Sequence, residues 1–223
     1  MGRGEEMVKM KVLATRDEWL ETRKNYIGGS DASCIVGMNP YKTNVELWEE
    51  KTGRRQPEDI SAKAFVKYGT EAEKYLRELF KLDFPQYEVK YIENNLFLND
   101  WYPFSHASLD AWLEEEETGR KGILEIKTTN ILQSMQKEKW NHRIPDNYFI
   151  QCLHYLAVTN FDFVILKAQL KFDYDGEIFL NTKHYYIDRT EVAEDIKYLM
   201  EEEQKFYEHI LSGEQPPLVL PEI

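Results

Sequence analysis

Two short segments carry the residues whose types and spacing can do chemistry: Ser108-Leu109-Asp110-Ala111-Trp112 and Leu124-Glu125-Ile126-Lys127-Thr128. Successive side chains of a β-strand point to opposite faces, so Glu125 and Lys127 share one face and Leu124, Ile126 and Thr128 the other. A carboxylate and an ammonium two residues apart then project into the same space. Gly119 and Gly122 bracket a turn between the two segments, which brings Asp110 alongside Glu125. Asp110 and Glu125 can share a divalent cation, because hard ions such as Mg²⁺ prefer carboxylate oxygen. Lys127, beside a metal-bound water, could orient that water or stabilise charge developing on a phosphate. Metal, oriented nucleophile and charge neutralisation are what hydrolysis of a phosphodiester requires. A Glu-x-Lys pair on an edge strand is more commonly a solvated ion pair of little energetic weight. Here Ile123, Leu124 and Ile126 embed the pair in an apolar strand, and Asp110 ends a matching run.

The elements that must position these residues are legible as a coarse pattern. Arg16–Tyr26 suits a short helix ending before Gly28-Gly29, and Ser30 is expected to cap a further turn through Val36. Thr43 and Glu46 form the Thr-x-x-Glu of a capping box ahead of a helix over 44–52. Phe65, Tyr68, Ala72, Tyr75, Leu76 and Leu79 recur at helical spacing and predict an amphipathic helix over Ser61–Phe80. Runs rich in β-branched and aromatic residues at Tyr87–Ile92, Leu96–Leu98, Phe104–Leu113 and Ile123–Thr128 predict an antiparallel meander. Helices are expected over 131–140 and 146–158, then strands Phe163–Leu170 and Glu177–Ile187, then a last helix from Asp188 to about Leu211. The fold class expected is α/β of the α+β type, a central mixed sheet flanked by helices. No repeat or Gly/Ser linker divides the chain, so the reading is an extension over 1–15, one domain over 16–212 and a tail over 213–223.

Composition removes several function classes. The chain has 223 residues, 42% of them hydrophobic and 30% charged. No run approaches the roughly 18 apolar residues of a membrane span. Residues 1–15 lack an apolar stretch, so a secretory signal is not expected and the protein is read as soluble and cytoplasmic. Cys34 and Cys152 are too few for a disulfide framework or a four-thiolate site. His106, His142 and His154 lack zinc spacing. The net charge of −12 argues against a protein that merely coats nucleic acid. Its distribution is uneven, however. Glu114–Glu117 is an acidic run, whereas Arg120, Lys121, Lys127, Lys137, Lys139 and Arg143 face only Glu125 and Glu138 within 120–143. Most of the aromatic residues are expected in the core.

Asp110…Glu125-Ile126-Lys127 resembles the D…(D/E)-x-K core of the PD-(D/E)XK nuclease superfamily. The rest of the chain is similar to the YqaJ-type viral recombinases, relatives of phage lambda exonuclease. Arg23 to Ser33 resembles that family's opening, in which an Arg and a Ser seven residues apart contact DNA phosphate; here these are Arg23 and Ser30. Gly69-Thr70-Glu71-Ala72-Glu73 matches its G-x-x-x-E helix, whose Glu joins the metal site. Tyr148 to Leu156 resembles its glutamine helix, although the family's Gln-x-Gln is Gln151-Cys152-Leu153 and only Gln151 carries over. Leu109 replaces the superfamily's Pro. Two cysteines separate the chain from relatives holding an iron–sulfur cluster on four.

The resemblance implies a deoxyribonuclease of the alkaline exonuclease type. It would use Mg²⁺, with Mn²⁺ substituting, and one or two ions held by Asp110, Glu125, the Ile126 carbonyl and Glu73. Lys127 would orient the nucleophile, Gln151 would assist at the catalytic centre, and Arg23 and Ser30 would anchor a DNA phosphate. It further implies 5′→3′ digestion of one strand from double-stranded DNA ends and a ring-shaped homotrimer. A single-strand-annealing partner and a place in the cytoplasm of a phage-infected or prophage-bearing bacterium follow from the same likeness, with no membrane involved. Residues 120–143 are expected to line a basic channel. An endonuclease or structure-specific repair nuclease on the same core is the alternative, and a non-catalytic DNA-binding assembly module a further one.

Overall fold

The computed structural model describes residues 7–220, and its centre is a five-stranded mixed sheet in the order β2 (Tyr87–Lys90), β4 (Ala111–Glu115), β5 (Lys121–Ile131), β6 (Phe163–Tyr174), β7 (Glu177–Asp188). Only β5 and β6 run parallel. A parallel pair needs a crossover, and here α5 (Ser134–Glu138) and α6 (Asp146–Thr159) supply it. Helix α4 (Ala64–Asp83) packs Leu76 and Phe80 on the sheet face that carries Leu124, Ile126 and Ile165. The opposite face, with Ile123, Val164 and Leu166, lies under α2 (Gly29–Ile35), α6 and α7 (Ala193–Ser212). Helices α1 (Arg16–Lys24) and α3 (Asn44–Lys51) complete the set. The fold class expected from the sequence is therefore the one observed.

Local chemistry sets the ends of several elements. Thr43 Oγ1 accepts from Glu46 N, and Glu46 Oε2 accepts from Thr43 N, as the capping box requires. Asn160 closes α6 and Gly213 closes α7, each in the left-handed conformation. Ser30 does not cap α2. Gly28 is the N-cap, Asp31 Oδ2 accepts its N–H, and Ser30 sits exposed in the first turn.

The meander is the expectation that fails. Strand β3 (Asn95–Asn99) leaves the main sheet and pairs antiparallel with β1 (Val8–Val12), so β2 reaches β4 directly. Asn95, Leu96, Phe97 and Asn99 are all buried, and Asn99 Nδ2 ties the strand to the Ala157 and Val158 carbonyls of α6. The expected strand Phe104–Leu113 is regular only from Ala111. Before that its main chain is held by other partners: Ile27 N donates to Phe104 O, His106 N to Ile27 O, and Asn95 bonds both sides of Leu109. In α4 the buried side carries Leu76, Arg77 and Phe80, while Phe65, Tyr75 and Leu79 are exposed. The helix is turned relative to its apolar stripe because Arg77 is needed inside, where it bonds Asp110 O and stacks on Tyr91.

Asn95 is the smallest change that tests how the segment before Asp110 is held. Its Oδ1 accepts from Leu109 N at 2.8 Å, and its Nδ2 donates to Leu109 O at 2.9 Å. Asn95→Ala strands these backbone groups, each loss costing roughly 1–3 kcal/mol. Urea unfolding should show a lower midpoint at unchanged slope; an unchanged midpoint would mean that water replaces the amide.

Candidate active site

Asp110 immediately precedes β4, and the pairing of Ala111 with Leu124 sets it beside the middle of β5. Its Oδ2 accepts from Ile126 N at 2.8 Å, which ties the carboxylate to the strand that carries the Glu-x-Lys pair. Alternation along β5 places Glu125 and Lys127 together, as expected, and Lys127 Nζ lies 2.6 Å from Glu125 Oε1. Glu125 is 2% exposed, and its Oε2 is buried without a hydrogen-bond partner. Lys127 Nζ also sits 5.0 Å from the Tyr148 ring centre. Glu73 reaches the group from α4, paired with Arg77 at 3.0 Å. The same guanidinium nitrogen bonds Asp110 O at 2.6 Å. Pairing of Glu73 with Arg77 and proximity to Asp110 are thus compatible.

The electrostatics show how crowded this group is. Burial and the neighbouring Asp110 push Glu125 up to about 8, against the pull of Lys127. Burial and Asp110 push Glu73 up to about 7, against Arg77. Asp110 is itself raised by burial, although Lys127, the Ile126 N–H and Arg77 favour its charge. Lys127 keeps its proton: burial opposes it, but Glu125 and Asp110 outweigh burial. Perturbed acids of this kind, sharing one place with a buried cation, mark functional sites.

A pocket of about 470 Å³ is lined among others by Arg23, Ser30, Asp31, Lys51 and His106, and His106 stands four residues before Asp110. Arg23 is half-buried, its guanidinium 4.1 Å from the Trp19 ring centre. Lys51 bridges Asp31 Oδ2 at 2.7 Å and Tyr26 O at 2.6 Å, which fixes the start of α2. Gly29 permits α2 to lie on α6: a Cβ there would fall 2.5 Å from a Tyr155 ring carbon and 2.9 Å from Gln151 Cγ. Gln151 is buried, and its Nε2 donates to Tyr155 OH at 2.8 Å. Tyr155 in turn feels Glu125, Lys127 and Asp110, so α6 links the pocket to the acid group.

Asp110, Glu125, Ile126, Lys127 and Glu73 therefore come together, and Arg23 and Ser30 share a pocket that none of those five lines. Strand β5 spans roughly 33 Å at ~3.3 Å per residue; Arg120 lies at its start and Lys137 beyond its end, 5.9 Å from the Phe172 ring centre. Arg120 is also paired with Asp188 at 2.6 Å. Cys34 and Cys152 are buried and unpaired, as expected of core residues. Three residues escaped the sequence reading. Ser108 Oγ is buried without a partner two residues before Asp110; the Ser-Leu-Asp spacing was its only signal. Arg77 stands four residues after Glu73. His106 lines the pocket, and nothing in the sequence pattern marks it.

The donor chemistry fits a hard divalent cation: three carboxylates in mutual electrostatic contact and one unpartnered buried carboxylate oxygen. Among the described residues no three such side chains converge on a common ion position; Glu125 turns to Lys127 and Glu73 to Arg77.

Sheet order and site together define a PD-(D/E)XK-type, restriction-endonuclease-like core. The YqaJ-like viral recombinase domain model matches residues 18–162, and the chain belongs to that family. It is 35% identical over 146 residues to "Uncharacterized protein YqaJ" of Bacillus subtilis (strain 168), covering 65% of this chain and 42% of that protein. The chain thus spans less than half the length of that relative. The fold is shared with an alkaline exonuclease, LHK-Exo of Laribacter hongkongensis, at TM-score 0.62 and 17% identity, covering 88% of this chain and 93% of the other. LHK-Exo in complex with dAMP superposes at TM-score 0.63, with the same identity and coverage. A phage related exonuclease from Haemophilus somnus 129PT gives 0.52 at 15% identity, covering 84% and 96% of the two chains.

The raised acids make the ion-free protein sensitive to pH. A folded-state value above the unfolded one contributes stability that is full below the ordinary 4.5 and is lost as pH climbs toward about 7 for Glu73 and about 8 for Glu125. Thermal melts in EDTA from pH 5 to 9 should fall across that window, and Glu73→Gln should flatten the fall. A flat wild-type profile would show that the three carboxylates do not repel one another.

Proposed function

We propose that this protein is a Mg²⁺-dependent exonuclease that degrades one strand of linear double-stranded DNA from 5′ to 3′ in phage-type recombination. The observation that carries the reading is the meeting of Asp110, Glu125 and Lys127, with an orphaned carboxylate oxygen on Glu125. Membership of the recombinase family and the fold shared with an alkaline exonuclease support it. A divalent cation held by Asp110, Glu125, Glu73 and the Ile126 carbonyl would supply an activated water and neutralise phosphate charge. Mn²⁺ would serve in place of Mg²⁺, and the three carboxylates suffice for one ion or two.

The chain's own residues do the rest. Lys127, kept protonated by Glu125 and Asp110, holds the attacking water and faces the charge that develops on the scissile phosphate. Arg77 restrains both Glu73 and the Asp110 main chain, so the acids stay in place as the substrate changes. Arg23 and Ser30 bind the terminal phosphate at the start of α2, and Gln151, locked to Tyr155, closes the space between pocket and acids. A ring-shaped homotrimer around the DNA, a single-strand-annealing partner and a cytoplasmic site of action complete the proposal. No helix among the described residues is long and apolar enough to cross a membrane.

The test is digestion of linear duplex DNA labelled at one 5′ end, with Mg²⁺ and with EDTA, beside a closed circular plasmid. Metal-dependent release of label from the linear DNA only is expected; cutting of the circle would move the assignment to an endonuclease. Glu125→Gln and Lys127→Ala should each lower the rate by about 10²–10⁴-fold, the span a positioned catalytic group contributes. Arg23→Ala should weaken binding of 5′-phosphorylated ends by roughly 10–100-fold, the worth of a hydrogen bond to a charged group. Ends lacking the phosphate should bind the variant and the wild type alike, and a variant that discriminates as the wild type does would remove Arg23 from the pocket's role.

A further inference from the structure

Helix α7 supplies none of the acids described above, yet it buries a carboxylate against α6. Glu203 and His154 are both 0% exposed, and Glu203 Oε1 lies 2.7 Å from His154 Nδ1. The other ring nitrogen, Nε2, lies 2.8 Å from the main-chain carbonyl of His106. A carbonyl only accepts, so His154 Nε2 carries a proton. Nδ1 faces a carboxylate, and an imidazolium is the form that donates on both sides with its charge opposed.

Such a buried pair does little for stability by itself, but its place in the fold gives it a use. The carbonyl it grips belongs to the irregular segment Phe104–Asp110. Two residues beyond His106 is Ser108, with its buried unpartnered Oγ, and two beyond that is Asp110. The His106 ring lines the pocket of Arg23 and Ser30, and its Nδ1 is also buried without a partner. We propose that His154 and Glu203 are positioning residues, an ion pair that holds the His106 carbonyl and thereby sets the His106 imidazole in the phosphate pocket and Asp110 at the acids. The kinetic and binding parts of this proposal rest on the function proposed above; the spectroscopic part does not.

The charged and titratable groups around His154 are Glu203 on α7, Asp31 on α2 and His106 on the segment. Those around His106 are Arg23, His154, Asp31 and Lys51. Burial opposes charge on His154, but the Glu203 carboxylate outweighs burial and the imidazole is raised above its ordinary 6.5. Burial, then Arg23 and His154, hold His106 well below that value. The surroundings thus favour charge on His154 and oppose it on His106. The contribution of charged His154 is complete below 6.5 and is lost as pH rises through its raised value.

The experiment uses the full chain labelled with ¹⁵N-histidine. In the wild type at pH 7, His154 should show both ring nitrogens protonated, and Glu203→Gln should return it to a neutral ring. Affinity for 5′-phosphorylated duplex ends, read by anisotropy in EDTA, should fall on the order of 10-fold or more in Glu203→Gln and in His154→Leu, the scale seen when groups supporting a site are removed. His154→Gln, which keeps a donor for the His106 carbonyl, should recover part of that loss. In Glu203→Gln the alkaline limb of binding should move to lower pH, and with Mg²⁺ present KM should rise more than kcat falls. A neutral His154 in the wild type would overturn the proposal. So would a folded Glu203→Gln that melts earlier but keeps wild-type affinity and pH profile. Wild-type protein that binds ends without cutting them would sink the nuclease reading, while the affinity and NMR shifts would still decide this one.

Discussion

The structure depends on one hydrogen bond between neighbouring strands, from Ile126 N to the Asp110 carboxylate. It ties together the two segments that carry Asp110 and Glu125, and with Glu73 from α4 it leaves three carboxylates close together, Glu125 the most deeply buried of them. Such a group is held only if the folded chain offsets the repulsion. Lys127 does so from the same strand face, Arg77 from α4, and Asn95 by clamping Leu109 so that Asp110 cannot withdraw. Burial first, and the neighbouring Asp110 second, displace Glu73 and Glu125 upward.

The second half of the site depends on close backbone approach instead. Helix α2 can reach α6 only because residue 29 has no side chain, and the contact aligns the start of α2, with Ser30, beside Gln151 and Tyr155. The segment Phe104–Asp110 joins the halves, since His106 borders the pocket and Asp110 ends among the acids. It has no regular strand pairing of its own. Ile27, Asn95, Phe97 and His154 hold it, which makes its placement a matter of a few named hydrogen bonds.

Charge is arranged locally rather than globally. The chain is strongly acidic, at −12, yet Arg23, Lys24, Lys51 and Arg55 gather round the pocket against Asp31 and Glu50. The basic residues of 120–143, adjacent in sequence, are distributed over the two ends of β5 and beyond. Within the pocket Lys51 is paired with Asp31 and Arg55 with Glu46, and such pairs act on their surroundings only within about a Debye length, roughly 8 Å in physiological salt.

Patterns with a short period were legible in the sequence. Strand alternation placed Glu125 with Lys127, the capping box placed α3, and the order of strands and helices gave a mixed sheet between helices. Each of these rests on interactions within a few residues, so the sequence by itself determines them. Contacts that join distant segments were not legible. Nothing local told β3 to leave the sheet for β1, because that pairing joins segments more than eighty residues apart. The turn of α4 toward Arg77 depends on Asp110 and Tyr91, more than ten residues away along the chain. Ser108, His106, His154 and Glu203 came into view only as partners, or as orphans, of groups that folding brings to them. The types of acid and base were thus written in the sequence, and the tertiary structure alone decided which carbonyls, glycines and buried charges hold them in place.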